Sequence, residues 1–308
     1  MSSFSKGNLW GLDMGGTKIE GVILKSVDEP EVIFRDRVPT EAALGYEHVM
    51  GQVQKLVNKM EAAAGYKAAR IGMGTPGVLV PGTGLMKNSN TTILNGRPFK
   101  ADLEKYLGIE LAFANDANCF ALAETHLGVV KEKFPGAKVV FGIIFGTGVG
   151  GGVVINGHIL NGHHGNGGEW GHNYLPGMEG RQCFCGKKGC NESILAGPSL
   201  EHYYNELTGQ KLGLKEIVER AEAGTDEAAT KTLDRLIEGF GRAISNIVNV
   251  IDPDVIVIGG GVGNIDRLYT DGVEAIRKFA LDNIFDAHVV KPSLGDSAGV
   301  FGAAYLVA

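Results

Sequence analysis

Three times along this chain an apolar run ends in a cluster of glycines: LDMGGTK at 12–18, IIFGTGVGGG at 143–152 and IVIGGGVG at 256–263. A strand that stops in glycines lets successive backbone N–H groups turn into one concavity, the geometry that cradles phosphate. The 47 glycines among 308 residues show no collagen period. They are therefore expected to serve tight turns and close backbone approaches.

Gly11 and Gly16 have the spacing of a P-loop, but Thr17-Lys18 stands in the reverse order and IEGVIL after it reads as a strand. A P-loop needs a helix there. Gly146, Gly148 and Gly151 fit G-x-G-x-x-G, as do Gly72, Gly74 and Gly77, yet 152–159 reads as a strand and 77–90 as a loop. Neither opens the helix that a dinucleotide fingerprint requires. What remains is a strand–turn–strand hairpin with Asp13-x-Gly-Gly-Thr, a second with Gly-Thr-Gly, and a late Gly-Gly-Gly. Two such loops from two halves could pinch a triphosphate, with Asp13 suited to Mg²⁺ or its waters; ordinary β-turns are the bland alternative.

Elsewhere strands alternate with helices. Residues 8–38 read as three strands, and 46–64 as a helix with Val49, Val53, Leu56, Val57, Met60 and Ala64 on one stripe, ended by Gly65. Further strands are expected at 70–73, at LAFA before NDAN, at VVFGIIFG and at VVINGHI, and a long helix at 227–250. The alternation gives the α/β class. A boundary is expected near Asp116 to Ala117, giving an N-terminal domain 1–117 and a C-terminal domain 118–296, with an apolar helix 297–308 packing back on the first.

Net charge is −6, which argues against nucleic acid or an anionic membrane as the main partner. No apolar run approaches the ~18 residues of a spanning helix, and MSSFSKGNLW lacks a signal-peptide pattern. A cytoplasmic chain is expected, in which the sequons at Asn90 and Asn191 are chance matches. Four cysteines then point to metal or chemistry rather than disulfides. His172, Cys183, Cys185 and Cys190 form H-x10-C-x-C-x4-C, the soft donor set of a tetrahedral Zn²⁺. With all four positions supplied by protein, the ion is structural; buried or redox cysteines are the alternative. Cys119 reads as an inert core thiol, and His163 and His164 as residues of an exposed loop.

Asp116 follows Asn115 at a strand end, where α/β folds place ligands, and could orient a hydroxyl and accept its proton. Helix N-capping is its competing role. Glu169, three residues before His172, and Glu192, two after Cys190, flank the metal pattern and suit hydrogen bonding to sugar hydroxyls. Solvated surface charge is their alternative.

Together these residues resemble the ROK family of bacterial sugar kinases, repressors and relatives. The likeness runs from LDMGGTKIEGVIL to GDSAGVFGAAYL through GMGTPG, NDANC, GTGVGGG, GEWGH, CFCGKKGC and DPDVIVIGGGV, in family order. It implies the actin/hexokinase-like (ribonuclease H-like) ATPase fold, two α/β domains closing over ATP–Mg²⁺ and substrate, with a zinc-binding loop. It also implies that Asp116 is the catalytic base for a hexose 6-hydroxyl, and that Asn90, Asn115, Asp116, Glu169, His172 and Glu192 bind the sugar. Asp13, Gly15, Gly16, Thr17 and Lys18 would form one phosphate loop, and Gly146, Thr147, Gly148, Gly150 and Gly151 the other. Gly259, Gly260 and Gly261 would lie near the adenosine, and His172 would serve both zinc and sugar. Homodimers are common in the family.

Within the family, KNSNTTILNGRPF, GEWGHN and GDSAGVFGAA look most like the fructokinase/mannokinase branch. Family glucokinases usually carry Leu, and acetylglucosamine kinases often Phe, where this chain has Trp170. The expected activity is a hexose 6-kinase acting on glucose, fructose or mannose, with N-acetylglucosamine or N-acetylmannosamine kinase as competitor. The family's repressors carry a DNA-binding module ahead of the first strand, which here begins near Asn8. A non-catalytic sugar-binding relative would be expected to lose Asp116 or DMGGT, and both are intact.

Overall fold

The structure, a computed structural model, describes residues 7–295 and 298–308. Residue 297, the first of the expected last helix, lies outside the described residues. In chain order the strands are β1 (Leu9–Met14), β2 (Lys18–Leu24), β3 (Val32–Pro39), β4 (Arg70–Thr75), β5 (Val78–Leu79), β6 (Met86–Lys87), β7 (Glu110–Asn115), β8 (Val139–Phe145), β9 (Val149–Ile155), β10 (His158–Ile159), β11 (Val255–Gly259) and β12 (His288–Val290). The helices are α1 (Tyr46–Ala64), α2 (Phe99–Leu107), α3 (Asp116–His126), α4 (Val129–Lys133), α5 (Asn191–Leu195), α6 (Gly197–Thr208), α7 (Leu214–Glu222), α8 (Glu227–Ile251), α9 (Asp271–Phe279) and α10 (Ala298–Tyr305). None is long and apolar enough to cross a membrane, among the described residues.

The chain forms two compact units. The first holds the described residues up to Lys133, with Gly157–Gly167 and those of Ser293–Ala308. Its sheet has the order β3-β2-β1-β4-β7. β1, β4 and β7 are parallel, and β2 and β3 are antiparallel additions. The α1 stripe of Val49, Val53, Leu56, Val57 and Met60 is buried against this sheet's core.

On β1 and β4, Gly11 and Gly72 are register neighbours that admit α10. A Cβ on Gly72 would lie 1.7 Å from Ala303 O, and one on Gly11 2.5 Å from Ala304 N. The division of the chain differs from the expected cut at 117, because α3 packs with α10 in the first unit. Cys119 and Ala303 share one buried cluster with Ala114.

Glu124, fully buried on α3, fixes the return of the C-terminal helix by accepting from the N–H groups of Val129 (3.0 Å), Ser293 (3.1 Å) and Leu294 (3.1 Å). Glu124→Ala strands the Val129 N–H, which is buried and worth about 1–3 kcal/mol when left without a partner, and releases the Ser293 and Leu294 N–H groups to solvent. Urea unfolding should register a loss of about 1–3 kcal/mol; a loss near zero would contradict the pin.

The second unit comprises Phe134–Asn156 and Gly168–Pro292. β9, β8, β11 and β12 lie side by side in that order. β8 and β9 are antiparallel, and β8, β11 and β12 parallel. Helix α8 is capped by Asp226, whose carboxylate accepts from the N–H groups of Ala228 and Ala229, and buries Leu233, Leu236, Phe240 and Ile244. β9 starts at Val149 rather than at 152. Gly150 and Gly151 are therefore strand, paired with Ile144 and Ile143, and not loop. Gly151 remains glycine for packing: a Cβ there would sit 2.6 Å from the Trp170 ring.

Candidate active site

In the first unit the three parallel strands end together. Their registers set Asp13 beside Gly74, and Thr75 beside Asn115. The β1–β2 turn closes through Gly15 N–H to Lys18 O (2.8 Å). Thr40, fully buried, braces it by donating to Gly15 O (2.7 Å). Lys18 leads into β2 and pairs with Glu20 (3.5 Å), so the P-loop alternative fails in the structure for the reason given by the sequence.

Asp13 and Asp116 share this strand-end region. Burial, then the Asp116 and Glu20 carboxylates, push the Asp13 carboxyl up to about 7, against a smaller opposing pull from Lys18. Asp116 is exposed, yet the surrounding protein desolvates its carboxylate enough to raise it too, against a hydrogen bond from Ala117 N–H (2.8 Å). Capping of α3 falls to Asn115, whose Oδ1 accepts from Asn118 N–H (2.8 Å). This separates the two roles that NDAN left open: Asn115 starts the helix and Asp116 stands at N1. Cys119 behind them is fully buried with its thiol pushed well up by desolvation, as befits a core cysteine.

Asn90 is exposed on a loop that Asn95 holds from both sides, donating to Ser89 O and accepting from Ser89 N–H (both 2.9 Å). Gly77, at φ 81°, lets the β4–β5 turn approach this loop; a Cβ there would lie 2.4 Å from Lys87 O. A cavity of about 230 Å³ opens beside the turn, lined by Thr75, Val78, Leu79, Phe113, Asn115 and Asn118 among others. It is smaller than the ~300–1,000 Å³ of drug-sized ligand sites, a size for one sugar ring rather than a nucleotide. The sequence names Gly77 only as part of a rejected dinucleotide pattern, and GMGTPG and NDANC do not single out Thr75, Asn95 or Asn118. Only the GMGTPG and NDAN motifs themselves carried a signal. Asn118 Oδ1 is buried without a hydrogen-bond partner.

In the second unit Gly146-Thr147-Gly148 forms the β8–β9 turn, closed by Gly146 N–H to Gly148 O (3.0 Å). The Gly259–Gly261 triplet leaves the neighbouring parallel strand, so that a Cβ on Gly146 would lie 3.6 Å from Gly261 N. Gly197, opening α6, donates its N–H to Gly146 O (2.8 Å). The structure thus brings both glycine segments of this unit together at the carboxyl ends of β8 and β11. Gly150 and Gly151 lie outside the turn.

The metal pattern is assembled. One donor atom each from His172, Cys183, Cys185 and Cys190 lie within 4.8 Å of one another. Cys183 Sγ to His172 Nδ1 and Cys185 Sγ to Cys190 Sγ are each 3.6 Å. A tetrahedron of ~2.3 Å Zn–S bonds has edges of about 3.8 Å, so the donor set fits that ion. Nδ1 faces the thiols and Nε2 lies 3.8 Å from the Glu169 carboxylate, so the imidazole spans the two groups. Glu192 is no solvated surface charge: Oε2 accepts from Val149 N–H (3.0 Å) and Oε1 lies 3.9 Å from Cys183 Sγ. The carboxylate joins the cysteine loop to the glycine turn. His163 and His164 are exposed and stand edge to face.

Trp170 corrects the reading that used it to choose among sugars. It is buried between Phe141 and Phe145, and its indole N–H donates to Gly150 O (3.0 Å). Its size is set by the core beneath β9, so it says little about a ligand.

The chain belongs to the ROK family, whose profile matches residues 9–308. It is 36% identical over 307 residues to the N-acetyl-D-glucosamine kinase of Haemophilus influenzae, covering 96% of this chain and 98% of the relative. The crystal structure of a ROK hexokinase from Thermus thermophilus superposes with a TM-score of 0.85 at 33% identity, covering 97% of each chain. A ROK family glucokinase from Streptomyces griseus, solved with glucose and AMPPNP, gives 0.74 at 25% identity, covering 97% of this chain and 99% of the other. The fold is the α/β, actin-like ATPase architecture of these hexokinase-type proteins.

Proposed function

We propose that this chain is an ATP-dependent sugar kinase that phosphorylates the 6-hydroxyl of N-acetyl-D-glucosamine. The observation that carries the choice of sugar is the 36% identity, over nearly the whole chain, to a protein of that name. The core position of Trp170 removes that residue as an argument for an unmodified hexose. Glucose, fructose or mannose is the second reading, favoured by the 33% identity to the Thermus hexokinase.

In this reading Asp116 orients the 6-hydroxyl and accepts its proton, which its raised affinity for protons suits. Asn90, Asn115, Glu169, His172 and Glu192 hold the sugar's hydroxyls, Asn115 through its amide nitrogen because its oxygen caps α3. The turn at Asp13 to Lys18 and the Gly146 to Gly148 turn bind phosphates by their N–H groups, and the Gly259 to Gly261 segment borders the adenosine. Asp13, with Asp116 as a neighbouring charge, would be the carboxylate to hold Mg²⁺ or its waters, Glu20 being paired with Arg35, and Mg²⁺ there would neutralise phosphate charge. Zinc is structural, shaping the loop that carries Glu169, His172 and Glu192.

ADP release compared by kcat/KM across N-acetylglucosamine, N-acetylmannosamine, glucose, fructose and mannose tests the assignment. N-acetylglucosamine should lead; an unmodified hexose in the lead moves the assignment to the second reading, and turnover of none overturns both.

The Asp13 carboxyl adds a pH prediction. Its folded value near 7 lies above that of an unfolded carboxylate, so the folded state holds the extra proton between about pH 4 and pH 7. Stability is therefore lost as pH rises through that window. With zinc retained and no Mg²⁺ added, the melting temperature should fall from pH 5 to pH 8, and Asp13→Asn should flatten the fall; an unchanged slope would contradict the assignment.

A further inference from the structure

A second cavity, also of about 230 Å³, lies wholly within the second unit. Three permanent cations line it: Arg181 and Lys188 from the cysteine loop, and Arg235 from α8. Arg235 lies over the Tyr203 ring (4.5 Å) and donates to Glu179 O, while its Nε is buried with no hydrogen-bond partner. A buried guanidinium N–H left unpaired is costly. Arg181 reaches only the Ser199 hydroxyl, at 3.4 Å, and the described residues place no carboxylate in ion-pair range of Arg181, Lys188 or Arg235. Of the two acidic residues on the wall, Glu206 is paired with His202 (3.1 Å). The other, Glu179, meets Arg235 through its backbone carbonyl.

We propose that this cavity is a binding site for a small phosphate anion, inorganic phosphate or a phosphate monoester, held by Arg181, Lys188 and the Nε–H of Arg235. Planar guanidinium donors and a lysine point charge match phosphate oxygens in geometry and sign. The two serine hydroxyls on the wall give their protons elsewhere: Ser193 to Cys190 O (2.8 Å) and Ser199 to Glu192 O (3.0 Å). The last bond sets the anion one hydroxyl away from Glu192, whose carboxylate grips the glycine turn. The site does not depend on the sugar assigned above.

The test is calorimetric titration of the zinc-loaded full chain, at low ionic strength and with ADP–Mg²⁺ occupying the nucleotide loops. Inorganic phosphate and N-acetylglucosamine 6-phosphate are the probes. Saturable binding is expected, weakened at least tenfold in the double variant Arg181→Gln/Lys188→Gln, whose two side chains are exposed. It should be tightened in Glu206→Gln, which removes a carboxylate without touching a proposed donor. Zinc content measured on each variant keeps loss of the loop distinct from loss of the anion. Only binding that the double variant weakens is counted to the cavity: there, tighter binding of the monoester identifies the product class as ligand, and equal binding identifies phosphate itself. Absence of saturation at tens of millimolar, or an affinity unchanged in the zinc-replete double variant, overturns the site.

Discussion

Asp116→Asn should reduce phosphoryl transfer by about 100- to 10,000-fold, the usual contribution of a positioned general base, while the dissociation constant of the sugar changes little. The substitution is nearly isosteric. Helix α3 keeps its start, because the cap is Asn115 and not Asp116. The amide can still hydrogen-bond a hydroxyl but cannot take its proton. The loss should fall on kcat rather than on sugar affinity, the pattern of an interaction needed only in the transition state. A second readout follows from charge: with Asp116 neutral, one of the groups that raise the Asp13 carboxyl is gone. The Asp13 titration, followed by NMR, should move down. A retained rate would refute the base assignment, and an unmoved Asp13 would refute the coupling.

Removal of one thiolate from the cysteine cluster carries the second large effect. Between Gly168 and Cys190 the chain has one short 3-10 turn, at Trp170–His172, and no other helix or paired strand segment beyond isolated bridges. The four donors, set for a closed tetrahedral ion, are what can define that stretch. Cys190→Ser should lose the metal and lower the melting temperature by about 10 °C or more, since several kcal/mol of metal binding act as folding energy. It should also raise the sugar KM, because His172 Nδ1 and the Glu192 carboxylate both face Cys183. Elemental analysis should find about one zinc per wild-type chain. A metal-free wild type with the same melting temperature would contradict the structural role.

Much of this architecture was legible because it rests on short-range pattern. The α1 stripe has the helical period, and both its predicted ends coincide with Tyr46–Ala64 because Gly65 at φ 77° stops it. The spacing of the four metal donors likewise predicts a cluster that the fold assembles. What stayed hidden depends on contacts distant in sequence. Gly150 and Gly151 read as loop, yet both are strand residues, and Gly151 lacks a side chain where the distant Trp170 packs. Trp170, read as a mark of the substrate, is fixed by Phe141 and Phe145. Glu124 looks like one more surface acid on a helix until Ser293 and Leu294 return to it. NDAN held two roles in adjacent residues, and only the hydrogen bond from Asn118 N–H shows which residue caps.

The most direct measurement is phosphorus NMR of the sugar product formed from ATP–Mg²⁺ and N-acetylglucosamine. The account predicts one phosphate monoester on the 6-oxygen, formed in equal amount with ADP and at least about 100-fold more slowly in Asp116→Asn. ADP formed without a phosphorylated sugar, or phosphate transferred to another hydroxyl, would contradict it.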